Sequence, residues 1–487
     1  MRVAGLSARV AVVLGVAVVA SACGGTQGAA TGASDLVPAS APVFVAIDTD
    51  PSSSQWKTVN DLAGRFPDKQ KGVDAIERSL KDSDNLDWNR DVKPALGDEL
   101  DVAWLDLGNN GQDVVALLQP KDEGKFKQLV AKGRAANPSD RIVYEKVQGW
   151  EVIAQTQAML DRFKRQSGSW AAMLSDEPAF RHSMDRLGGD AIVRAYASGA
   201  ALMRLARRYA GPSDRSLITK AGTLDWIALR LAARSDGIGL DTIVHGTPGS
   251  LFKGFRQSSS FSAKLPNTVP QDALVYATFH GAKGMFGGLD RNPVLRSPEL
   301  RRFSGVFRQI GSVLQGENAF YLRPSAGSIP EVTFVANPGS GTDGAAVLDR
   351  VLARYRAQLR VAPVHLTVAG TPTRKLGFGS LGAYYANVGG KLVLTDLPAG
   401  IRGVKEPGAA LSHSETYQDA RAASGLPSKS QGFLYVNIHS TIPFVERLSH
   451  THVPAEVGRN LKPLHSAMEY AVTHSHEVQV TLFLRIK

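Results

Sequence analysis

The segment Ala41-Pro-Val-Phe-Val-Ala-Ile-Asp48 decides the fold, and Ala273-Leu-Val-Tyr-Ala-Thr-Phe-His280 repeats its pattern 232 positions later (273 − 41). Each segment is rich in β-branched and aromatic residues near a proline-marked turn, which is typical of a strand. Further segments recur in the same order in both halves, for example residues 174–180 and 411–417. Several matches in one order are unlike chance similarity, and the sequence therefore predicts a tandem duplication.

The class predicted from these patterns is α+β. Residues 226–231 alternate between apolar and other side chains, and with residues 238–245 they predict a hairpin that closes the first half. Residues 468–472 and 478–484 predict the matching hairpin of the second half. Apolar residues at helical spacing predict an amphipathic helix over 344–359. We therefore expect two tandem related halves, each a mostly antiparallel sheet with helices packed on one face.

The length of 487 residues exceeds one ordinary core and favours two domains. We predict the first α+β repeat over residues 36–250 and the second over residues 264–487, joined by a segment rich in Ser and Gly. The single cysteine excludes a disulfide scaffold and a multi-thiolate metal centre.

The N-terminus has the features of an export signal. Arg2 and Arg9 form a basic region, and the apolar stretch over 10–20 is shorter than a membrane-spanning helix. Small residues then lead to Cys23, which resembles the lipobox of bacterial lipoproteins. The resemblance implies that residues 1–22 are a signal peptide and that Cys23 carries a diacylglyceryl group. An ordinary cleaved signal peptide and an uncleaved anchor remain alternatives.

Residues 23–35 are small, mostly uncharged and suited to a flexible tether. The formal charge is +11, and loss of Arg2 and Arg9 would leave +9 (11 − 2). Basic clusters remain, including Arg204, Arg207 and Arg208. Export argues against a nucleic-acid partner, so these clusters indicate either attraction to anionic lipid headgroups or a solvated basic face.

Serine chemistry has weak support in the sequence. Ser54 and Lys57 satisfy S-x-x-K, and residues 83–85 read S-D-N, as in penicillin-binding enzymes. The two motifs are close together, however, and K-T-G does not occur in the sequence. Ser54 is better interpreted as a helix N-cap. We predict no catalytic residue.

Neither cofactor nor metal binding is predicted. Residues 339–344 satisfy G-x-G-x-x-G, but no acidic residue follows at the distance that a ribose requires. Residues 377–382 match the same pattern and are interpreted as a turn or bulge between strands. His450, His452, His465, His474 and His476 cluster late, and the last two are interpreted as solvated turn residues.

Three carboxylates share one predicted strand, namely Glu99, Asp101 and Asp106. Glu99 and Asp101 lie two positions apart, so they point to the same face. Their spacing is not distinctive of acid–base catalysis, and we interpret the face as exposed.

Residues 36–48, with Leu174-Ser-Asp176 and Phe180 further on, resemble the bacterial family called domain of unknown function 3352. The resemblance implies an exported or membrane-tethered protein without established catalytic residues. We expect it to extend over residues 36–487.

Together these features predict a membrane-anchored extracytoplasmic lipoprotein, lipid-anchored on the outer face of the cell membrane. We expect it to act as a binding or envelope-interaction module whose partners are the membrane and envelope proteins or lipids. A lipid or apolar-ligand carrier and an unrecognised extracytoplasmic hydrolase are the alternatives. A continuous apolar cavity would favour the carrier, and converging serine, histidine or carboxylate groups would favour the hydrolase.

Overall fold

The structure is a computed structural model. It describes residues 32–136, 142–168, 171–249, 260–281, 311, 313–325, 330–338, 341–354, 356, 362–378, 381–449 and 453–487. The chain divides into two compact units. The first comprises residues 1–218, 223–247 and 486–487, and the second comprises residues 219–222 and 248–485. Within the described ranges, no helix has the length and apolar character needed to cross a bilayer.

The first unit is built on an antiparallel sheet. Its strands are β1 (Val43–Asp48), β2 (Glu99–Trp104), β3 (Val114–Leu118), β4 (Val143–Val147), β5 (Trp150–Ala154), β6 (Val193–Ser198), β7 (Gly222–Arg234) and β8 (Gly237–Pro248). The antiparallel pairs run in the order β4–β5–β3–β2–β1–β6–β7. β1 is therefore central, between β2 and β6.

The helices of the first half are α1 (Ser54–Ala63), α2 (Lys69–Asp84), α3 (Glu123–Ala136), α4 (Gln157–Gln166), α5 (Pro178–Leu187), α6 (Gly199–Tyr209) and α7 (Pro212–Ala221). Shorter helical turns span Gly32–Asp35, Trp88–Val92, Lys93–Ala95 and Leu174–Asp176.

β1 shows how strand alternation builds two cores at once. Phe44 belongs to one core, which also contains Phe163 of α4 and Phe180 of α5. Ile47 belongs to a second core, on the opposite face, with Phe126 of α3. Helices therefore cover both faces of this sheet rather than one face, because the central strands are apolar on both sides.

The second unit is also built on an antiparallel sheet. Its strands are β9 (Val275–His280), β10 (Glu317–Arg323), β11 (Glu331–Ala336), β12 (Val364–Val368), β13 (Thr371–Phe378), β14 (Leu381–Val388), β15 (Lys391–Thr395), β16 (Gly432–Val436), β17 (Leu464–Thr473) and β18 (Glu477–Ile486). The pairs run in the order β12–β13–β14–β15–β11–β10–β9–β16–β17.

The helices of the second unit are α8 (Gly344–Arg354), α9 (Pro398–Lys405), α10 (Glu415–Ser424), α11 (Ile438–Ser449) and α12 (Ala455–Leu461), with short turns at Leu265–Asn267 and Leu411–His413. Ile401 of α9 packs in one core and Val347 of α8 in another, so this sheet also carries helices on both faces. A buried ion pair joins Arg323 to Glu331 across adjacent strands, with 2.7 Å between Nε and Oε1.

The α+β class is confirmed. The two units also share one pairing order around their central strands, because β1 lies between β2 and β6 as β9 lies between β10 and β16. The predicted hairpin regions lie on β7 and β8 and on β17 and β18. Similar topology also arises without common descent, so the duplication itself stays a prediction.

The start of the described chain differs from the expected tether. Gly32–Asp35, the last four residues of the predicted tether, form a 3-10 helix. Ala33 is fully buried in the core that also contains Phe44. The small side chains of this segment predicted a flexible tether. In the structure they allow the backbone to lie close against the sheet.

Candidate functional site

The S-x-x-K motif does not form a nucleophile–base pair. Ser54 and Lys57 are both exposed on the first turn of α1. The Ser54 hydroxyl donates a hydrogen bond to Asp190 at 3.0 Å, not to the lysine. The N-cap is Ser53, whose Oγ accepts from the Trp56 amide, so the capping prediction was wrong by one residue. The S-D-N motif lies at the end of α2, where Asn85 adopts a left-handed conformation.

The described residues of the two glycine motifs lie at a helix start and on paired strands. Of residues 339–344, the first two lie outside the described residues, while Asp343 accepts the amides of Ala345 and Ala346 at the start of α8. Gly377 and Gly382 face each other on the two strands of the β13–β14 hairpin.

The late histidines are dispersed along the chain. His474 and His476 are exposed between β17 and β18, as expected for a turn. His465 stacks on His439, with 5.7 Å between ring centroids. His450 and His452 lie outside the described residues, as does Cys23. Among the side chains that the structure describes, no group of three or more His, Cys, Asp or Glu could hold a metal ion.

The carboxylates on β2 are buried, so the expectation of an exposed face was wrong. Glu99 is 8% exposed and Asp101 is 0% exposed. Both face the core that contains Ala33, and no carboxyl oxygen of either residue has a hydrogen-bond partner of good geometry in the described structure. We call Glu99 and Asp101 the buried carboxyl pair.

Burial dominates the electrostatics of this pair. Desolvation raises the pKa of Glu99 to about 7, although Arg194 and the Gly32 backbone lower it. Desolvation and the nearby Glu99 charge raise the pKa of Asp101 well above its ordinary value, against a smaller effect of the Ala33 backbone. The two carboxyls therefore titrate together, and burial favours the protonated form of Asp101.

The neighbouring Asp48 is also perturbed. Burial raises its pKa to about 6, and the hydrogen bond from Ser53 opposes this rise. The Ser53 hydroxyl donates to Asp48 at 2.5 Å while its oxygen caps α1, which fixes the turn after β1. Three carboxyls therefore lie on one face of β1 and β2, beneath the N-terminal helical turn.

The second unit has a buried carboxylate, Glu317, at the position that corresponds to Glu99. Glu317 pairs in register with His280, as Glu99 pairs with Asp48. Its carboxylate accepts the backbone amides of Lys264 and Leu265 at 2.8 and 3.0 Å. Glu317 thus anchors the helical turn before β9. Glu99 lies close to the backbone of Gly32 at the corresponding turn of the first unit, but without a hydrogen bond of good geometry to it.

A surface groove is the second feature of the first unit. It has a volume of about 410 Å³ and lies between the residues that follow β2, helix α4 and helix α6. We call it the arginine groove, after Arg162, Arg204 and Arg208; its other lining residues include Ser40, Pro42, Leu105, Leu107, Gln166, Ala201 and Leu205. The sequence analysis identified Arg204 and Arg208 as part of a basic cluster. It did not predict the groove, which is formed by residues distant in the chain.

The fold and this geometry define an α+β protein with antiparallel sheets. In the part of the chain that the structure describes, Ser54 and Lys57 do not form a catalytic pair. The family model described as "Protein of unknown function (DUF3352)" matches residues 3–178. The predicted family resemblance is confirmed over that part of the chain. No curated protein and no solved structure matches the chain.

Proposed function

We propose that this chain is a membrane-anchored extracytoplasmic lipoprotein that acts as a binding module of the cell envelope. The observation that carries the proposal is the arrangement of Cys23 directly after a short apolar stretch and small residues. A lone thiol in this position has no partner for a disulfide, and two acyl chains on it would give stable anchoring. Gly32, where the described fold begins, follows nine positions later.

The carrier alternative receives less support. A carrier requires a continuous apolar cavity within a core. In the second unit the central core positions hold the fully buried side chains of Tyr276, Tyr321 and Tyr435. The arginine groove of the first unit combines charged and apolar lining and suits a polar headgroup better than a whole apolar ligand.

The hydrolase alternative receives no geometric support from its candidate residues. Ser54 is exposed and bonds to Asp190, and Lys57 is not its base. The buried carboxyl pair is closed to solvent, since Asp101 is 0% exposed, and a substrate could not reach it without opening the core.

Membrane fractionation of cells expressing the full chain tests the proposal. The wild type should sediment with membranes and be released by detergent but not by high salt, because the anchor is hydrophobic. Cys23→Ser should abolish labelling by a radioactive fatty acid and move the chain out of the detergent phase. Ser21→Ala is the matched control, since it keeps a small residue before the cysteine. Fatty-acid labelling of the Cys23→Ser variant at the wild-type level would refute the proposal.

A further inference from the structure

We propose that the arginine groove binds the phosphate-containing headgroup of an anionic glycerophospholipid in the membrane to which the chain is anchored. The inference rests on the proposed function only in that anchoring holds the groove near a bilayer. Its evidence is independent of the anchor and comes from the charge, hydrogen bonding and shape of the groove.

The groove carries more positive than negative charge, because three arginines line it together with one carboxylate, Asp106. Arg162 is compensated, because it pairs with Asp113 at 2.7 Å and with Asp106 at 3.6 Å. Arg204 and Arg208 lie one helical turn apart on α6, and within the described ranges neither forms an ion pair with a carboxylate. Two guanidinium groups on one helix face can donate several hydrogen bonds to a phosphate.

Arg208 is held against the groove wall. A methyl group on Gly108 would come within 2.9 Å of its Nη1, so the absence of a side chain there makes room for the guanidinium. The Arg208 guanidinium carbon also lies 6.0 Å from the ring centroid of Tyr209. Tyr209 is the most exposed large hydrophobic residue among those described, at 63% of its full accessibility.

A buried hydrogen-bond acceptor belongs to Gln166, one of the residues that line the groove. The Gln166 Oε1 atom is buried and has no partner among the described atoms. A buried unsatisfied acceptor is costly, and a ligand hydroxyl would remove that cost. A glycerol headgroup supplies such a hydroxyl beside its anionic phosphate, whereas a choline headgroup has neither a hydroxyl nor net negative charge.

Apolar side chains complete the complementarity. Leu105 is 5% exposed, while Leu107, Leu205 and Ala201 line the groove beside the arginines. This apolar lining suits the glycerol backbone and the first methylene groups of a lipid. Ser40 and Pro42, which also line the groove, belong to the segment between the helical turn at Gly32–Asp35 and β1, so the groove lies close in sequence to the predicted anchor.

Vesicle binding by the mature chain with Cys23→Ser, which lacks acyl chains, tests this inference. Binding to vesicles of phosphatidylglycerol in phosphatidylcholine should exceed binding to phosphatidylcholine alone. Arg204→Gln with Arg208→Gln should weaken binding about 30-fold, as expected from two lost headgroup contacts. Arg207→Gln is the matched control for each single substitution: it removes one charge from the same helix outside the groove, and should weaken binding clearly less than Arg204→Gln or Arg208→Gln, each of which should cost about 5-fold.

Gln166→Leu tests the hydroxyl contact. The wild type should prefer phosphatidylglycerol to phosphatidic acid, and this variant should lose that preference while still binding anionic vesicles. An unchanged tryptophan emission spectrum would show that each variant keeps the fold of the first unit.

Two results would overturn the inference. If Arg207→Gln weakens binding as much as Arg204→Gln or Arg208→Gln does, the basic surface acts diffusely rather than through the groove. If soluble glycerol phosphate binds the wild type while anionic vesicles do not, the ligand is a small phosphate ester and not a lipid. Vesicle binding without fatty-acid labelling of Cys23 would contradict the proposed function alone, and labelling without lipid-selective binding would contradict only this inference.

Discussion

Replacing Asp101 with asparagine should change how the stability of the first unit depends on pH. Asp101 is 0% exposed, and its pKa is raised well above the ordinary value of 3.8 because of burial and the neighbouring Glu99. The folded chain therefore holds a proton that the unfolded chain releases, and stability falls as pH rises between the two pKa values. Asparagine resembles the protonated carboxyl in size and removes this titration.

The magnitude follows from one proton. Each pH unit between the ordinary and the raised pKa of Asp101 costs about 1.4 kcal/mol of unfolding free energy in the wild type. Glu99 adds a similar loss between its ordinary value of 4.5 and about 7, but both chains carry this residue. As pH rises above the ordinary pKa of Asp101, the Asp101→Asn variant should therefore gain about 1.4 kcal/mol relative to the wild type with each pH unit, until the raised pKa is reached.

Tryptophan fluorescence during urea unfolding measures the stability of the first unit specifically. All six tryptophans of the chain occur within residues 56–226, in the first half. The emission change therefore reports the first unit even if the second unfolds separately. Asp185→Asn is the matched control, since Asp185 is exposed on α5.

The decisive quantity is the difference in unfolding free energy between variant and wild type across pH. It should widen as pH rises for Asp101→Asn and stay constant for Asp185→Asn. Parallel curves for Asp101→Asn and the wild type would refute the assignment of a buried protonated carboxyl.

Three further predictions concern packing, capping and charge. Gly97→Ala should destabilise the first unit by at least about 2 kcal/mol, because a Cβ there would lie 2.1 Å from a backbone carbonyl oxygen. Gly72→Ala is the control: Gly72 lies on α2 with open space around its Cβ position, and the substitution should stabilise the unit by about 0.5–1 kcal/mol. Ser53→Ala should cost about 1 kcal/mol as the lost N-cap and Ser54→Ala much less; equal costs would contradict the observed cap. Glu331→Gln should destabilise the second unit by about 3 kcal/mol, because Arg323 is left without its buried charge partner. Thermal unfolding followed by circular dichroism measures this loss, and an unchanged unfolding midpoint would argue against the ion pair.

Local patterns predicted the strands well because alternation and turn residues are encoded within a few positions. Residues 41–48 and 273–280 contain the central strands β1 and β9, and the helix predicted from residue 344 begins there. The described part of that helix extends to Arg354, and most of the remaining predicted span to residue 359 lies outside the described residues.

Features that depend on distant contacts were not predictable in this way. Glu99 and Asp101 alternate with apolar residues, which is the ordinary pattern of an exposed sheet face. Their burial results from the Gly32–Asp35 turn, whose small residues indicated a tether. The matching position of Glu317 in the second half was the one available signal. Likewise, the arginine groove joins Gln166 to residues of α6 and to the end of β2.

The covalent state of the mature N-terminus tests the central claim most directly. Intact-mass and peptide mass spectrometry of the detergent-extracted chain should find a polypeptide that begins at Cys23 with a diacylglyceryl group on its sulfur. A mature chain that begins at another residue, or that carries an unmodified Cys23 while remaining in the membrane fraction, would contradict the account.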